Sequence, residues 1–211
     1  MRTSVRGKRI IVTAGAGGIG RAIVEQLARE GAVLATCDIS EAALSDLRTR
    51  LPQVIAETVD VSKESQLTQF LNSSIEKMGG VDGLVNNAGI SGPTACIEDI
   101  KPSEWQTLFD INVQSHFVAC RAVVPHLKAQ GDGSVIFISS TAGRLGFQMP
   151  TPYAASKWAL VGLMKSLAIE IGPKGVRYDS AAENCRDEPV SHLRGRAQHL
   201  RPVLEPLRKH R

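Results

Sequence analysis

Aromatic side chains are scarce in this 211-residue chain: two Trp, two Tyr and five Phe make up 4% of it. None follows Tyr178, so the basic C-terminal stretch offers nothing on which nucleic-acid bases could stack. Paired cysteines are also missing. Cys37, Cys96, Cys120 and Cys185 are scattered without C-x-x-C spacing, which argues against a thiolate metal site and fits reduced, mostly buried thiols of a cytoplasmic protein. The five histidines form no ligand pattern, so no metal is expected. No apolar run approaches the roughly 20 residues of a membrane span. The opening M-R-T-S-V-R-G-K-R-I is charged and leads directly into a strand-like run, so neither a membrane partner nor a signal peptide is expected.

The main body also lacks a charge excess. The net charge is +4, but residues 186–211 alone hold seven Lys+Arg against three Asp+Glu. The basicity therefore belongs to the tail, and a polyanion-binding surface on the body is not expected. Hydrophobic content of 43% with 22% charged residues suits a globular chain long enough to bury a sizeable core.

What is present is an alternation of short β-branched runs and helical patterns. Residues 9–13 (R-I-I-V-T) read as a strand, followed by Gly15-Ala16-Gly17-Gly18-Ile19-Gly20 and a helical pattern over residues 21–30. Strand, glycine turn and helix in that order fit a pyrophosphate held on the amides of a helix N-terminus. A second strand over 32–37 ends at Asp38, 18 residues after Gly20. A carboxylate at about this spacing meets the ribose hydroxyls of an adenosine, although aspartate is equally a favoured cap of a following helix. Further alternation gives a helix over 41–51, a strand over 54–59, a helix over 63–78 capped by Ser62, and a strand over 81–85 ending in Asn86-Asn87-Ala88-Gly89. A loop over 91–102 leads to a long helix capped by Ser103 and reaching about Ala129, with Asn112 in its interior. Asparagine is a poor residue for that position, because its amide competes for backbone bonds.

The apolar run 135–138 reads as a buried strand with Ser140 at its carboxyl end, where open α/β sheets bind ligands. Thirteen residues on lies Tyr153, with Lys157 one helical turn beyond it on a helix that Pro152 opens and that runs to Ile171. A fixed ammonium beside a phenol favours the phenolate, which makes a general acid/base from a group whose ordinary pKa is about 10.

These motifs, in this order, resemble the short-chain dehydrogenase/reductase family, whose site is a serine, a Y-x-x-x-K pair and an asparagine. The resemblance covers about residues 8–178. It implies a doubly wound α/β fold with a parallel sheet of strand order 3-2-1-4-5-6. It also implies hydride transfer between a nicotinamide dinucleotide and a secondary alcohol or ketone, with Tyr153 as acid/base, Lys157 as its electrostatic partner and ribose ligand, Ser140 on the substrate oxygen, and Asn112 supporting a proton relay. The cofactor would lie on Gly15, Gly17, Gly18, Ile19 and Gly20, with Asp38 at the adenosine ribose, Asp60 and Val61 against the adenine, and Asn87, Ala88 and Gly89 beside the ribose nearer the reaction. Asp38, together with the absence of Arg or Lys between Ala14 and Gly20, favours NAD over NADP. The family pattern T-G-x-x-x-G-x-G places Ala14 where its first glycine is expected, and Gly15 is expected to absorb the resulting strain. The family also implies a homo-oligomer, with a small molecule as the other partner.

After Tyr178 the family pattern is lost. Residues 179–211 read as an atypical basic tail, as after a shifted reading frame or altered splice, with the family's last strand missing. Two alternatives stay open: an NADP-linked 3-oxoacyl thioester reductase using the same residues, and an NAD-binding protein left weak or inactive by its C-terminus.

Overall fold

The computed structural model describes residues 4–146 and 150–182. Six parallel strands form one sheet: β1 (Arg9–Thr13), β2 (Val33–Asp38), β3 (Ile55–Thr58), β4 (Gly83–Asn86), β5 (Gly133–Ser139) and β6 (Val176–Ala182). Their spatial order is 3-2-1-4-5-6, as expected. The helices between them are α1 (Gly18–Arg29), α2 (Glu41–Arg50), α3 (Glu64–Met78), α4 (Pro102–Phe109), α5 (Ser115–Gln130) and α6 (Thr151–Ile171).

Alternate residues of each strand face opposite sides, and both sides are buried, so the strands read as continuous apolar runs. Ile10 and Val12 of β1 join Ile23, Val24 and Leu27 of α1 and Leu44 and Leu47 of α2. Ile11, between them, joins the other layer with Phe70 and Leu71 of α3, Val123 and Leu127 of α5, and Leu160 of α6. At the amino ends of the strands the Asp82 carboxylate accepts from Arg9 Nε (2.9 Å), Arg9 Nη2 (2.9 Å) and Gln130 Nε2 (2.9 Å), while Arg9 also donates to the Gly79 carbonyl. This clamp ties β1, β4 and the end of α5 together.

Several boundaries differ from expectation for identifiable reasons. Ser62 does not cap α3, because its hydroxyl donates to Asp60 Oδ1 (2.7 Å) and Lys63 stands at the cap position. Nor does Ser103 begin the long helix. Lys101 and Pro102 do, with the Lys101 N–H bonded to Glu104 Oε2 (2.9 Å) and proline in the first turn. The long helix itself is divided: between α4 and α5 the residues Asp110–Gln114 form a π-helical turn that contains Asn112. β6 continues past Tyr178 to Ala182, pairing with β5 from Gly133↔Val176 to Ser139↔Ala182. The expected departure of the chain otherwise concerns residues 183–211, which lie outside the described residues.

Candidate active site

In this strand order the direction of winding reverses between β1 and β4, and a crevice opens there at the carboxyl ends. Thr13 and Asn87 close its floor. Thr13 Oγ1 accepts from Asn87 N (3.0 Å) and Ala88 N (3.1 Å), and Asn87 Nδ2 donates to the carbonyls of Thr13 (3.0 Å) and Ala14 (2.9 Å). The short amide of Asn87 thus ties the glycine loop to the end of β4.

Within the loop the glycines have two different roles. Gly15 and Gly20 are sites of close approach: a Cβ on Gly15 would overlap Thr36 Oγ1, and one on Gly20 the Ala14 carbonyl oxygen. Gly17 and Gly18, at the start of α1, have nothing within 4 Å of where a Cβ would stand. Open space over the first amides of a helix, which have no intrahelical acceptor, is what a pyrophosphate requires. Ala14 does not pass its strain to Gly15. It adopts the left-handed conformation itself, with φ 53°, as the only non-glycine residue with positive φ among the described residues.

Asp38 faces this loop. Its Oδ2 accepts from Ala16 N (3.1 Å) and its Oδ1 from Ser40 N (3.1 Å), whereas the cap of α2 is Ser40, whose hydroxyl accepts from Ala43 N (3.3 Å). The helix-capping alternative for Asp38 is therefore not the one the structure adopts. Arg21, the first cation after the glycine loop, is engaged by Glu25 (2.9 Å) and Asp46 (2.5 Å). Asp60 is held in a tight turn by Ser62 N (2.9 Å), with Val61 packed against the α3 side of the core.

Tyr153 and Lys157 occupy the first turns of α6, with Lys157 Nζ 5.4 Å from the centre of the Tyr153 ring. Lys157 is 4% exposed, and its Nζ donates to the Ile138 carbonyl (3.1 Å). Burial pushes its ammonium down to about 8. Ser140 follows directly on β5, and its hydroxyl accepts from Ala142 N (3.2 Å), opening a short turn whose Gly143 packs on the Lys157 carbonyl. Asn112 is fully buried. Its Oδ1 accepts from Ile90 N (2.8 Å), and its Nδ2 donates to the Ile90 carbonyl (2.9 Å) and to Ser156 Oγ (3.1 Å). A Cβ added to Gly89 would stand 3.4 Å from Asn112 Oδ1 and 3.5 Å from Lys157 Nζ, so all three converge at one point.

Two residues here escaped the sequence reading. Ser156 bridges Asn112 and the Tyr153 carbonyl. His116, buried in α5 with its ring 6.1 Å from that of Phe137, is driven down to about 3 by burial and by the charge of Lys157, which keeps it neutral. The Y-x-x-x-K motif itself was the signal for Ser156, since position 156 lies within it. Nothing in the sequence pointed to His116.

The family model described as short chain dehydrogenase matches residues 8–185. Among curated proteins, the 3-alpha-(or 20-beta)-hydroxysteroid dehydrogenase of Mycobacterium bovis is 37% identical over 175 residues, covering 82% of this chain and 67% of that protein. The levodione reductase of Leifsonia aquatica is 32% identical over 179 residues, with the same coverage of each. The chain thus spans about two thirds of the length of these relatives. A crystal structure of levodione reductase superposes with a TM-score of 0.80 at 32% identity, covering 86% of this chain and 72% of that one. A metagenomic short-chain oxidoreductase in complex with NADP gives 0.82 at 30% identity, covering 87% and 85%. With its glycine loop, its reversed sheet and the tyrosine and lysine on α6, the chain belongs to the short-chain dehydrogenase/reductase family, whose members are NAD(P)-dependent oxidoreductases.

Proposed function

We propose that this chain oxidises a secondary alcohol, or reduces the corresponding ketone, with NAD as its cofactor. The observation that carries this reading is the buried Lys157 ammonium beside the Tyr153 ring at the mouth of the crevice. The nicotinamide dinucleotide, when bound, gives or takes the hydride. Tyr153 takes or returns the hydroxyl proton, and the ammonium of Lys157 stabilises the charge left on the phenol oxygen. The same ammonium would donate to the adjacent ribose of a bound cofactor. Ser140 donates to the substrate oxygen and sets its distance from the phenol. Gly15, Gly17, Gly18, Ile19 and Gly20 would hold the pyrophosphate, Asp60 and Val61 would flank the adenine, and Asn87, Ala88 and Gly89 would shape the wall nearest the reaction.

The preference for NAD rests on Asp38. Its carboxylate accepts hydrogen bonds from a free ribose diol and repels a 2′-phosphate, and Arg21, already paired with two carboxylates, offers that phosphate no counter-charge. Asp38→Ala should weaken NAD binding and narrow the preference over NADP. Tighter binding of NADP than NAD by the unmodified protein would refute the assignment. The exposed Trp105, Phe117 and Trp158 on α4, α5 and α6 support assembly into a homo-oligomer. Cys37 and Cys120 are buried, and burial raises both thiols to about 12, so neither serves as a nucleophile in this reading.

The mechanism is tested with Tyr153→Phe, assayed on secondary alcohols, ketones and a 3-oxoacyl thioester. Loss of the proton-transfer group should lower turnover by about 10²–10⁴-fold while NAD affinity, measured by titration, stays near that of the unmodified protein. Retention of most of the activity would end this reading.

A further inference from the structure

Ser156 lies between the two residues of the proposed acid/base pair, three positions after Tyr153 and one before Lys157, and it is completely buried. Its hydroxyl donates to the Tyr153 carbonyl at 2.7 Å. A helical serine bonded back to its own preceding turn commonly does no more than satisfy itself. This oxygen also accepts from Asn112 Nδ2 at 3.1 Å, a residue 44 positions away in the π-helical turn. With that bond both Nδ2 hydrogens of Asn112 are used, since the other goes to the Ile90 carbonyl, while Oδ1 holds the Ile90 N–H. A continuous chain of bonds therefore runs from the backbone of Ile90, through Asn112 and Ser156, to the backbone of Tyr153.

We propose that Ser156 is a positioning residue for the reaction, a latch that fixes the Tyr153–Lys157 turn of α6 against the Gly89–Ile90 end of β4. The proposal rests on the roles given above to Tyr153 and Lys157. The helix sets the spacing between those two residues, but it does not set where the pair stands relative to the crevice. The Lys157 ammonium ties α6 to β5 through the Ile138 carbonyl, whereas the side-chain tie to the end of β4 runs through Asn112 and Ser156. Gly89 shows how close the fit is, because Asn112 and Lys157 crowd the same side of it. The π-helical turn presents Asn112 to both partners at once, and the hydroxyl of Ser156 joins that turn to α6. Reacting groups misplaced by about 1 Å cost roughly 10²-fold in rate, so a small slide of α6 is enough to matter.

The test uses Ser156→Ala and Ser156→Thr in the full chain, with segment-resolved amide hydrogen exchange and steady-state kinetics on secondary alcohols. In the alanine variant, exchange of the Ile90 N–H should quicken by roughly tenfold while β2 is unchanged, as expected for local release of a bonded segment. Its kcat should fall by about 10- to 100-fold with KM nearly unchanged. The threonine variant, which keeps the hydroxyl, should recover most of both. An alanine variant with unaltered Ile90 exchange overturns the proposal. So does one in which exchange rises equally in every strand while kcat holds, since that is loss of stability alone. If the threonine variant does not fold, the alanine measurements decide. If the unmodified protein shows no NAD- or NADP-linked turnover yet the alanine variant still releases Ile90 selectively, the latch stands and the proposed reaction falls.

Discussion

Lys157→Met keeps the length of a buried side chain and removes its charge, so it separates what the lysine does for the fold from what it does for the reaction. The ammonium is 4% exposed, and burial lowers it from 10.5 to about 8. A shift of that size corresponds to about 3 kcal/mol of preference for the neutral form. Because the folded value lies below the unfolded one, the cost is fully present below pH 8. It is relieved as the pH rises from about 8 to 10.5, where the unfolded chain binds more protons than the folded one. Against this gain the variant loses the bond to the Ile138 carbonyl, worth about 1.5–3 kcal/mol for a charged donor. Cofactor-free protein should therefore be at least as stable with methionine at pH 7, by up to about 1.5 kcal/mol or roughly 3–6 °C in Tm. By pH 10.5 the advantage should have vanished or reversed. Urea unfolding of both proteins at pH 7 and near pH 10 measures this, and the difference between them cancels other groups that titrate in the range. A methionine variant destabilised at pH 7, or a difference that does not change with pH, would refute the reasoning. Activity should be lost in either case, a stability–function conflict that is common where a charge is buried for chemistry.

Ala14→Gly should relieve about 1 kcal/mol of left-handed strain and return about half of that in unfolded-chain entropy. The variant should then melt about 1–2 °C higher; a lower melting point would show that the alanine methyl makes compensating contacts. Asp82→Asn removes the charge and one of the two oxygens on which Arg9 and Gln130 converge, and should cost about 2–3 kcal/mol at pH 7. The hydrogen bonds from Arg9 hold the Asp82 carboxyl well below the usual carboxylate range. Its contribution is therefore present above about pH 4 and fades as the pH falls further, so the two proteins should converge in acid unfolding.

Strands β1, β2, β4 and β5 were legible because each carries an apolar run punctuated by glycine or asparagine, whereas β3 has neither beside it and β6 was legible only as far as Tyr178. The order of strands followed from the family pattern rather than from the runs themselves. Asp38 and the glycine loop were legible for a local reason: a crevice for a phosphate needs small residues at fixed offsets. The helix starts were less so. Ser62 and Ser103 both have the chemistry of caps, but Ser62 found a better acceptor in Asp60, and Pro102 preset the helix one residue before Ser103. At Asn112 a polar residue inside a helix signalled something unusual, but the π-helical turn appears only once Ile90 and Ser156 are placed beside it. Ala14 was recognised as a departure, yet which residue would take up the strain depended on contacts across the loop: Gly15 is pressed against Thr36, so the turn falls on Ala14.

The clamp of Arg9, Asp82 and Gln130 stands at the amino ends of the strands, whereas Thr13, Asp38, Asn87 and Ser140 stand at or just beyond the carboxyl ends. The four steps of β1 from Arg9 to Thr13 put roughly 13 Å between the two, farther than the range over which substitutions usually influence one another. Natural variation at the carboxyl ends, where a new substrate would be selected, can therefore lower stability without loosening the clamp. Variation around the clamp can restore that stability without moving a reacting atom. The placement gives the lineage two nearly independent sets of positions, one free to explore specificity and one able to compensate for what that exploration costs.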